Sequence, residues 1–152
     1  ALRATLSRSG NMASGLLRGS DVSLGLIGKG KAGSTMERCL KQVGIVPLFW
    51  WSRRDGTKAE DLPYAQIIVF AVSDNAIEEV AGQLGKRQSA ADEIWLHMSG
   101  SRPGMVSRRS VGIPFSCAAM HPLQALSGSY SAPDTLHGVL AGVDGEERAV
   151  ET

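Results

Sequence analysis

The sequence predicts an α/β protein, a three-layer fold around a mostly parallel sheet. Three observations carry that prediction. Short apolar runs of strand length alternate with stretches whose apolar residues recur at helical spacing. One run, Gln66 to Val72, is nearly unbroken β-branched and aromatic sequence, as a strand covered on both faces requires. The first run ends in a glycine cluster that leads straight into an amphipathic stretch. A chain of 152 residues fits one domain with a real core.

In chain order, Val22 to Ile27 reads as a buried strand. Lys31 to Val43 carries Ala32, Met36, Leu40 and Val43 on one helix face, and Gly44 stands where a helix-terminating glycine belongs. Ile45 to Trp51 is the second strand, closed by the polar break Ser52-Arg53-Arg54-Asp55-Gly56. Gln66 to Val72 is the third. Asn75, with Glu78 three residues on, forms a capping box for a helix that buries Ile77, Val80, Ala81 and Leu84. Glu93 to Met98 is a strand, Pro103 to Arg109 a short helix, and Pro114 to Met120 another strand. Gly138 to Val143 is read as a further strand. Parallel strands joined in this way need right-handed crossovers.

The glycines Gly28, Gly30 and Gly33 lie in Gly28-Lys29-Gly30-Lys31-Ala32-Gly33, between a strand and a helix. That context turns a weak GxGxxG match into the Rossmann-type dinucleotide loop. Gly28 permits the tight turn, Gly30 lets backbone approach a pyrophosphate, and Gly33 lets the helix pack against the strand. Free amides and the positive end of the helix dipole favour the phosphates, and Lys29 and Lys31 add charge. The competing account is a strand-to-helix turn that binds nothing. Gly25 to Lys31 also fits part of a phosphate-binding P-loop. The next residue is Ala32, without the hydroxyl that would hold magnesium, which argues against a nucleotide triphosphatase.

NAD enzymes place an acid at the end of the second strand, about 20 residues past the glycines, to hold the ribose hydroxyls. Here stand Trp51, Ser52, Arg53 and Arg54. A guanidinium pairs with a 2′-phosphate that a carboxylate would repel, so NADP (as NADPH) is the expected cofactor. Asp55, the nearby acid, falls in the turn. The missing acid also argues against a methyltransferase. Of Trp50 and Trp51, one must face each side of the sheet, so one is assigned to the core and the other to the adenine pocket.

Ligands of open α/β sheets bind beyond the carboxyl ends of the strands. The residues there are Ala71-Val72-Ser73-Asp74-Asn75, His97-Met98-Ser99-Gly100-Ser101 and His121-Pro122-Leu123-Gln124. Ala71, Val72 and Ser73 are assigned to the cofactor. Taken with GLIGKGKAG and WSRR, the segments AVSDNAI, LHMSGS and MHPLQ resemble the Rossmann-like proteins that carry an uncharacterised helical domain after the nucleotide-binding domain. Those proteins lie in the superfamily of pyrroline-5-carboxylate reductase, 6-phosphogluconate dehydrogenase and the deazaflavin-dependent NADP reductases. The likeness runs from Val22 to Glu147. The His-Pro pair is similar to one in prephenate and hydroxyacyl-CoA dehydrogenases, where the histidine works on the substrate hydroxyl.

The resemblance implies an NADP-binding domain of an oxidoreductase moving hydride to or from a small carbonyl, imine or hydroxy substrate. The alternative is a non-catalytic dinucleotide-binding or sensing module. His121 is the expected proton acceptor or donor, since imidazole titrates near neutrality. Ser99, with Ser101 and Gln124, is expected to contact substrate. His97 alternates with Trp95 in its strand and is read as structural, Cys117 as buried, and Met98, Met105 and Met120 as packing; no motif surrounds His137. The resemblance also implies a helical second domain, missing from this sequence, that closes the substrate pocket and builds a homodimer. Residues 21–144 are expected to form the Rossmann domain, and 145–152 the start of a truncated helix or of that second domain.

Ala1 to Ser20 holds Arg3, Arg8 and Arg18, four serines and no acid, and is read as a disordered leader. An organelle transit peptide, or sequence upstream of a start at Met12, are the other readings. A net charge of +1 argues against a nucleic-acid or membrane-surface binder, and the apolar runs fall far short of the roughly 20 residues of a membrane helix. Cys39 and Cys117 form no CxxC pair and suggest neither a zinc site nor a disulfide framework. A cytoplasmic enzyme is expected.

Overall fold

The computed structural model describes residues 22–87, 92–104, 106, 115–126, 136 and 138–151. Leu24–Ile27 (β1) runs through the glycine loop into Lys31–Gln42 (α1) and returns as Phe49–Trp51 (β2). A 3₁₀ turn at Ala59–Asp61 precedes Ile67–Phe70 (β3), and a second at Asp74–Ala76 leads into Ile77–Leu84 (α2). Ile94–His97 (β4), Ser116–Pro122 (β5), Ala141–Gly145 (β6) and Glu147–Val150 (α3) follow. The strands form one sheet in the order β2-β1-β3-β4-β5-β6. β1 to β5 are parallel, and β6 is antiparallel to β5. This is the expected Rossmann-type three-layer architecture.

Alternation along the strands splits the core into two layers. Leu26, Val69 and Met98 meet Met36 and Leu40 of α1 on one face. Ile27, Trp51, Phe70 and Trp95 meet Val80, Ala81 and Leu84 of α2 on the other. Trp95 stacks on Phe115 with ring centroids 4.0 Å apart and lies 5.4 Å from Phe70. Cys117 is buried as expected, and Met98 and Met120 both pack in the α1 layer.

Several boundaries differ from expectation for local reasons. β2 keeps only Phe49 to Trp51 of the expected seven-residue run, because Pro47 has no N–H to give the ladder. α1 ends as predicted: Gly44 N–H donates to Lys41 O at 3.0 Å and Ile45 N–H to Leu40 O at 2.8 Å, the paired bonds of a Schellman motif. The Asn75 capping box does not form. Asn75 sits inside the 3₁₀ turn and its Oδ1 accepts from Arg102 Nη2 at 3.2 Å, while α2 starts without a side-chain cap. β5 runs on to Pro122 because β6 pairs with it, His121 opposite Gly142. Of the expected 103–109 helix, one bond is described, from Val106 N–H to Pro103 O at 2.9 Å. Met105 and His137 lie outside the described residues. No helix among the described residues is long and apolar enough to cross a membrane.

Candidate functional site

The sheet order reverses at β1, whose neighbours are β2 on one side and β3 on the other, and a crevice opens beyond the carboxyl ends at such a point. The glycine loop lies there. Gly28 has φ +109°, and a Cβ on it would come within 2.2 Å of Ala71 O. At Gly33 a Cβ would stand 1.9 Å from Gly28 O, so only hydrogen lets α1 close on the loop. Gly30 is different: its missing side chain would meet nothing within 4 Å. The first bond of α1 runs from Ser34 N–H to Gly30 O at 2.9 Å, so the preceding amides have no partner within the helix.

A cleft of about 300 Å³ opens over this loop. Its walls bring together Gly28, Lys29 and Gly30 from β1, Ser52, Arg53 and Arg54 from β2, and Ala71, Val72 and Ser73 from β3. Nine of the twelve residues assigned to the cofactor from sequence therefore line one cavity. Lys31, Ala32 and Gly33 stand behind it, in the first turn of α1. Trp51, one of the two tryptophans considered for the adenine pocket, also lines it, and sequence reading missed Ile27, Ala76 and Val80. Ala76 and Val80 are four residues apart at the start of α2, a spacing that reads as plain core until the helix is placed.

The two tryptophans face opposite sides of the sheet as alternation requires, but one of them takes both expected roles. Trp51 is the core residue, 4% exposed, and it is also the one that lines the cleft. Its Nε1–H donates to Thr57 O at 2.9 Å. Trp50 faces the α1 layer instead, and its Nε1–H donates to Gly28 O at 2.8 Å, tying the loop to β2. Lys29 Nζ lies 5.5 Å from the Trp50 ring centroid.

At the β2 end the charges are paired. Lys29 Nζ is 2.8 Å from Asp55 Oδ2, which also accepts from Ser52 N–H at 2.8 Å. Asp55 Oδ1 accepts from Ser52 Oγ at 3.0 Å. The Lys29 ammonium, ahead of the Ser52 amide, holds the Asp55 carboxyl below its ordinary value. Arg53 Nη1 is 3.1 Å from Glu79 Oε2, both side chains more than half exposed.

Ser99 and His121 lie in a second cleft of about 370 Å³, with Gly100, Ser101, Arg102 and Asp144. His121 Nδ1 lies 3.5 Å from Met98 O, and the ring lies over Gly100, where a Cβ would come within 2.7 Å of it. Ser99 is 7% exposed and its Oγ accepts from Ser101 N–H at 3.2 Å and Arg102 N–H at 3.1 Å, so its oxygen shapes the loop. Ser101 Oγ donates to Asp74 Oδ2, and this bond, ahead of one from Ser99, lowers the Asp74 carboxyl. The Asp74–Ser101 and Asn75–Arg102 contacts join the loop after β3 to the loop after β4. Gln124 is exposed and lies outside this cleft wall.

His97 is structural as read. It is 1% exposed, donates from Nε2 to Pro103 O at 3.0 Å and accepts Ser99 N–H at Nδ1 at 3.3 Å. Burial depresses its proton affinity. Among the described residues no group of three or more His, Cys, Asp or Glu side chains is placed to hold a metal ion.

No protein-family model and no curated protein matches the sequence. Solved structures do match. A candidate NADP oxidoreductase of Bacteroides fragilis aligns at 16% identity and a TM-score of 0.70, over 88% of this chain and 55% of its own. The pyrroline carboxylate reductase of Plasmodium falciparum, solved with NADP bound, aligns at 18% identity and a TM-score of 0.55, over 67% of this chain and 42% of its own. A variant imine reductase of Myxococcus stipitatus in complex with NAD+ aligns at 17% identity and a TM-score of 0.51, over 68% and 41%. The chain thus spans roughly half the length of these structures, or less. What it shares with all three is the Rossmann-type fold.

Proposed function

We propose that this chain is the NADP-binding domain of an oxidoreductase that transfers hydride to or from a small carbonyl, imine or hydroxy compound. The observation that carries the reading is Gly30, open to a cleft at the β1/β3 crevice and directly ahead of an amphipathic helix. Bare amides at a helix start favour a pyrophosphate. Trp51, Ala76 and Val80 offer an apolar wall for adenine, and Ser52, Arg53 and Arg54 offer donors to a 2′-phosphate. The fold neighbours solved with NADP support the same cofactor class.

The nicotinamide group supplies hydride chemistry that no side chain can. This chain's residues supply the rest. Arg53 and Arg54 orient the adenosine end. His121, beside the second cleft, accepts or returns the substrate proton, and the Ser99–Ser101 loop, held in shape by Asp74, borders the polar end of the substrate. In this reading a further segment closes the substrate cleft and builds a homodimer.

Fluorescence titration tests the cofactor assignment. NADPH should bind at least about tenfold tighter than NADH, the worth of one charge-assisted contact. Equal affinity removes the 2′-phosphate site, and binding of neither removes the dinucleotide reading. In a form of the protein that turns over, His121→Asn should lower kcat on the order of a hundredfold; unchanged turnover removes His121 from the chemistry.

A further inference from the structure

The corner assigned to the 2′-phosphate already contains an anion of the protein's own. Asp55 lies three residues past Ser52 in the turn that follows β2, and its carboxylate folds back on that residue. One oxygen accepts the Ser52 amide at 2.8 Å and lies 2.8 Å from Lys29 Nζ. The other accepts the Ser52 hydroxyl at 3.0 Å. An amide, a hydroxyl and an ammonium converging on one carboxylate form the kind of donor set that suits a phosphate monoester. Lys29 and Ser52 both line the cleft, beside Arg53 and Arg54. Arg53 is turned to Glu79, so two of the cations in this corner are matched by acids.

Two anions cannot share these three donors. A 2′-phosphate entering the corner must lift Asp55 off Ser52 and Lys29 or stand against it as a like charge. A ribose 2′-hydroxyl faces no such conflict, since it can donate to a carboxylate that stays in place. The same turn therefore handicaps one cofactor and tolerates the other. Building on the NADP reading above, we propose that Asp55 is an internal competitor for the cofactor's 2′-phosphate and sets how strongly the site prefers NADPH over NADH. Ser52, Arg53 and Arg54 attract the phosphate, and Asp55 limits how far that attraction shows as selectivity.

The test compares NADPH and NADH affinities of the wild-type chain with those of Asp55→Asn and Asp55→Ala. Asp55→Asn keeps an acceptor for the Ser52 amide, so the turn retains its shape; Asp55→Ala removes it. Both free Lys29. Each should tighten NADPH about tenfold, the scale of one charge-assisted contact, and leave NADH unchanged or weaker. Adenosine 2′-monophosphate, which carries only the phosphate of this corner, should tighten in parallel, while adenosine 5′-monophosphate should not. Glu60→Gln is the charge control. It removes one negative charge from the neighbouring cleft without freeing Ser52 or Lys29, and should leave the NADPH-to-NADH ratio as in wild type.

A wild-type chain that prefers NADPH, with a ratio that Asp55→Asn leaves unmoved or lowers, overturns the competitor role alone. An equal gain in Glu60→Gln overturns it too, by showing a general charge effect. A wild-type chain that binds neither dinucleotide overturns both this role and the reading it rests on. Thermal melts of each variant separate loss of binding from loss of fold, and the two Asp55 variants must agree in direction for the role to stand.

Discussion

At the scale of single residues, Gly30 and Gly33 separate binding from folding. A Cβ at Gly30 meets nothing within 4 Å, and its φ of −81° suits alanine, so Gly30→Ala should fold normally. The methyl would stand where phosphate oxygens must reach the amides, and NADPH affinity should fall at least about tenfold. Gly33→Ala is the opposite case. Its Cβ would lie 1.9 Å from Gly28 O, so α1 must shift, at a cost of about 1–3 kcal/mol in a denaturant melt. Arg53→Ala should change stability by no more than about 1 kcal/mol, since its pair with Glu79 is exposed, yet weaken NADPH selectively. Equal losses for NADPH and NADH would remove Arg53 from the phosphate corner. The glycines were legible in sequence because their constraints are local: a turn, a close approach, an open amide. The tryptophan roles were not, because alternation shows that two neighbours face opposite ways but not which way either faces.

Between elements, the buried pair Arg87–Glu93 joins the end of α2 to the entry of β4. Glu93 is fully buried, with Oε1 accepting Ala65 N–H at 3.2 Å and Oε2 accepting Trp95 Nε1–H at 2.8 Å as well as Arg87 Nη2. Arg87 also donates to Leu84 O at 3.1 Å and Pro63 O at 2.8 Å. Burial, the largest influence on Arg87, lowers its proton affinity, and the Glu93 charge opposes that. Arg87→Met would strand a carboxylate in the core and should cost about 3–5 kcal/mol, read as a lower urea midpoint. Adding Glu93→Gln should recover part of that loss, and a double variant no better than the single would show that the two charges are not coupled. Nothing in the sequence marks this pair, because Arg87 and Glu93 are six residues apart in the chain and look like two surface charges. Asn75 teaches the same lesson in reverse. Its spacing to Glu78 satisfies the capping-box pattern, but Arg102 from the next loop takes the side chain that the cap would have used.

For the molecule as a whole, acid should act in two steps. His97 is held neutral by burial, so its folded-state proton affinity lies below the ordinary 6.5. Its contribution is complete above about pH 6.5 and is lost as pH falls through the lower folded value, because the unfolded chain takes up the proton first. Asp55 and Asp74 are lowered from 3.8 and act in the same direction, in a separate window below that value. Unfolding free energy measured against pH should therefore begin to fall below about 6.5, and His97→Gln should remove that upper slope while leaving the lower one. A wild-type profile flat from pH 7 down to 4 would show that His97 carries no such linkage.

The sequence by itself determined the alternation of strands and helices, the glycine loop and the basic β2 end, because hydrophobic period and glycine sterics act over a few residues. The tertiary structure alone decided which acid answers which cation, that β6 runs antiparallel to β5 and pairs with it through His121, and that Trp51 rather than Trp50 walls the cleft. Those outcomes depend on side chains far apart in sequence competing for the same space and the same hydrogen bonds, and no local pattern encodes the winner.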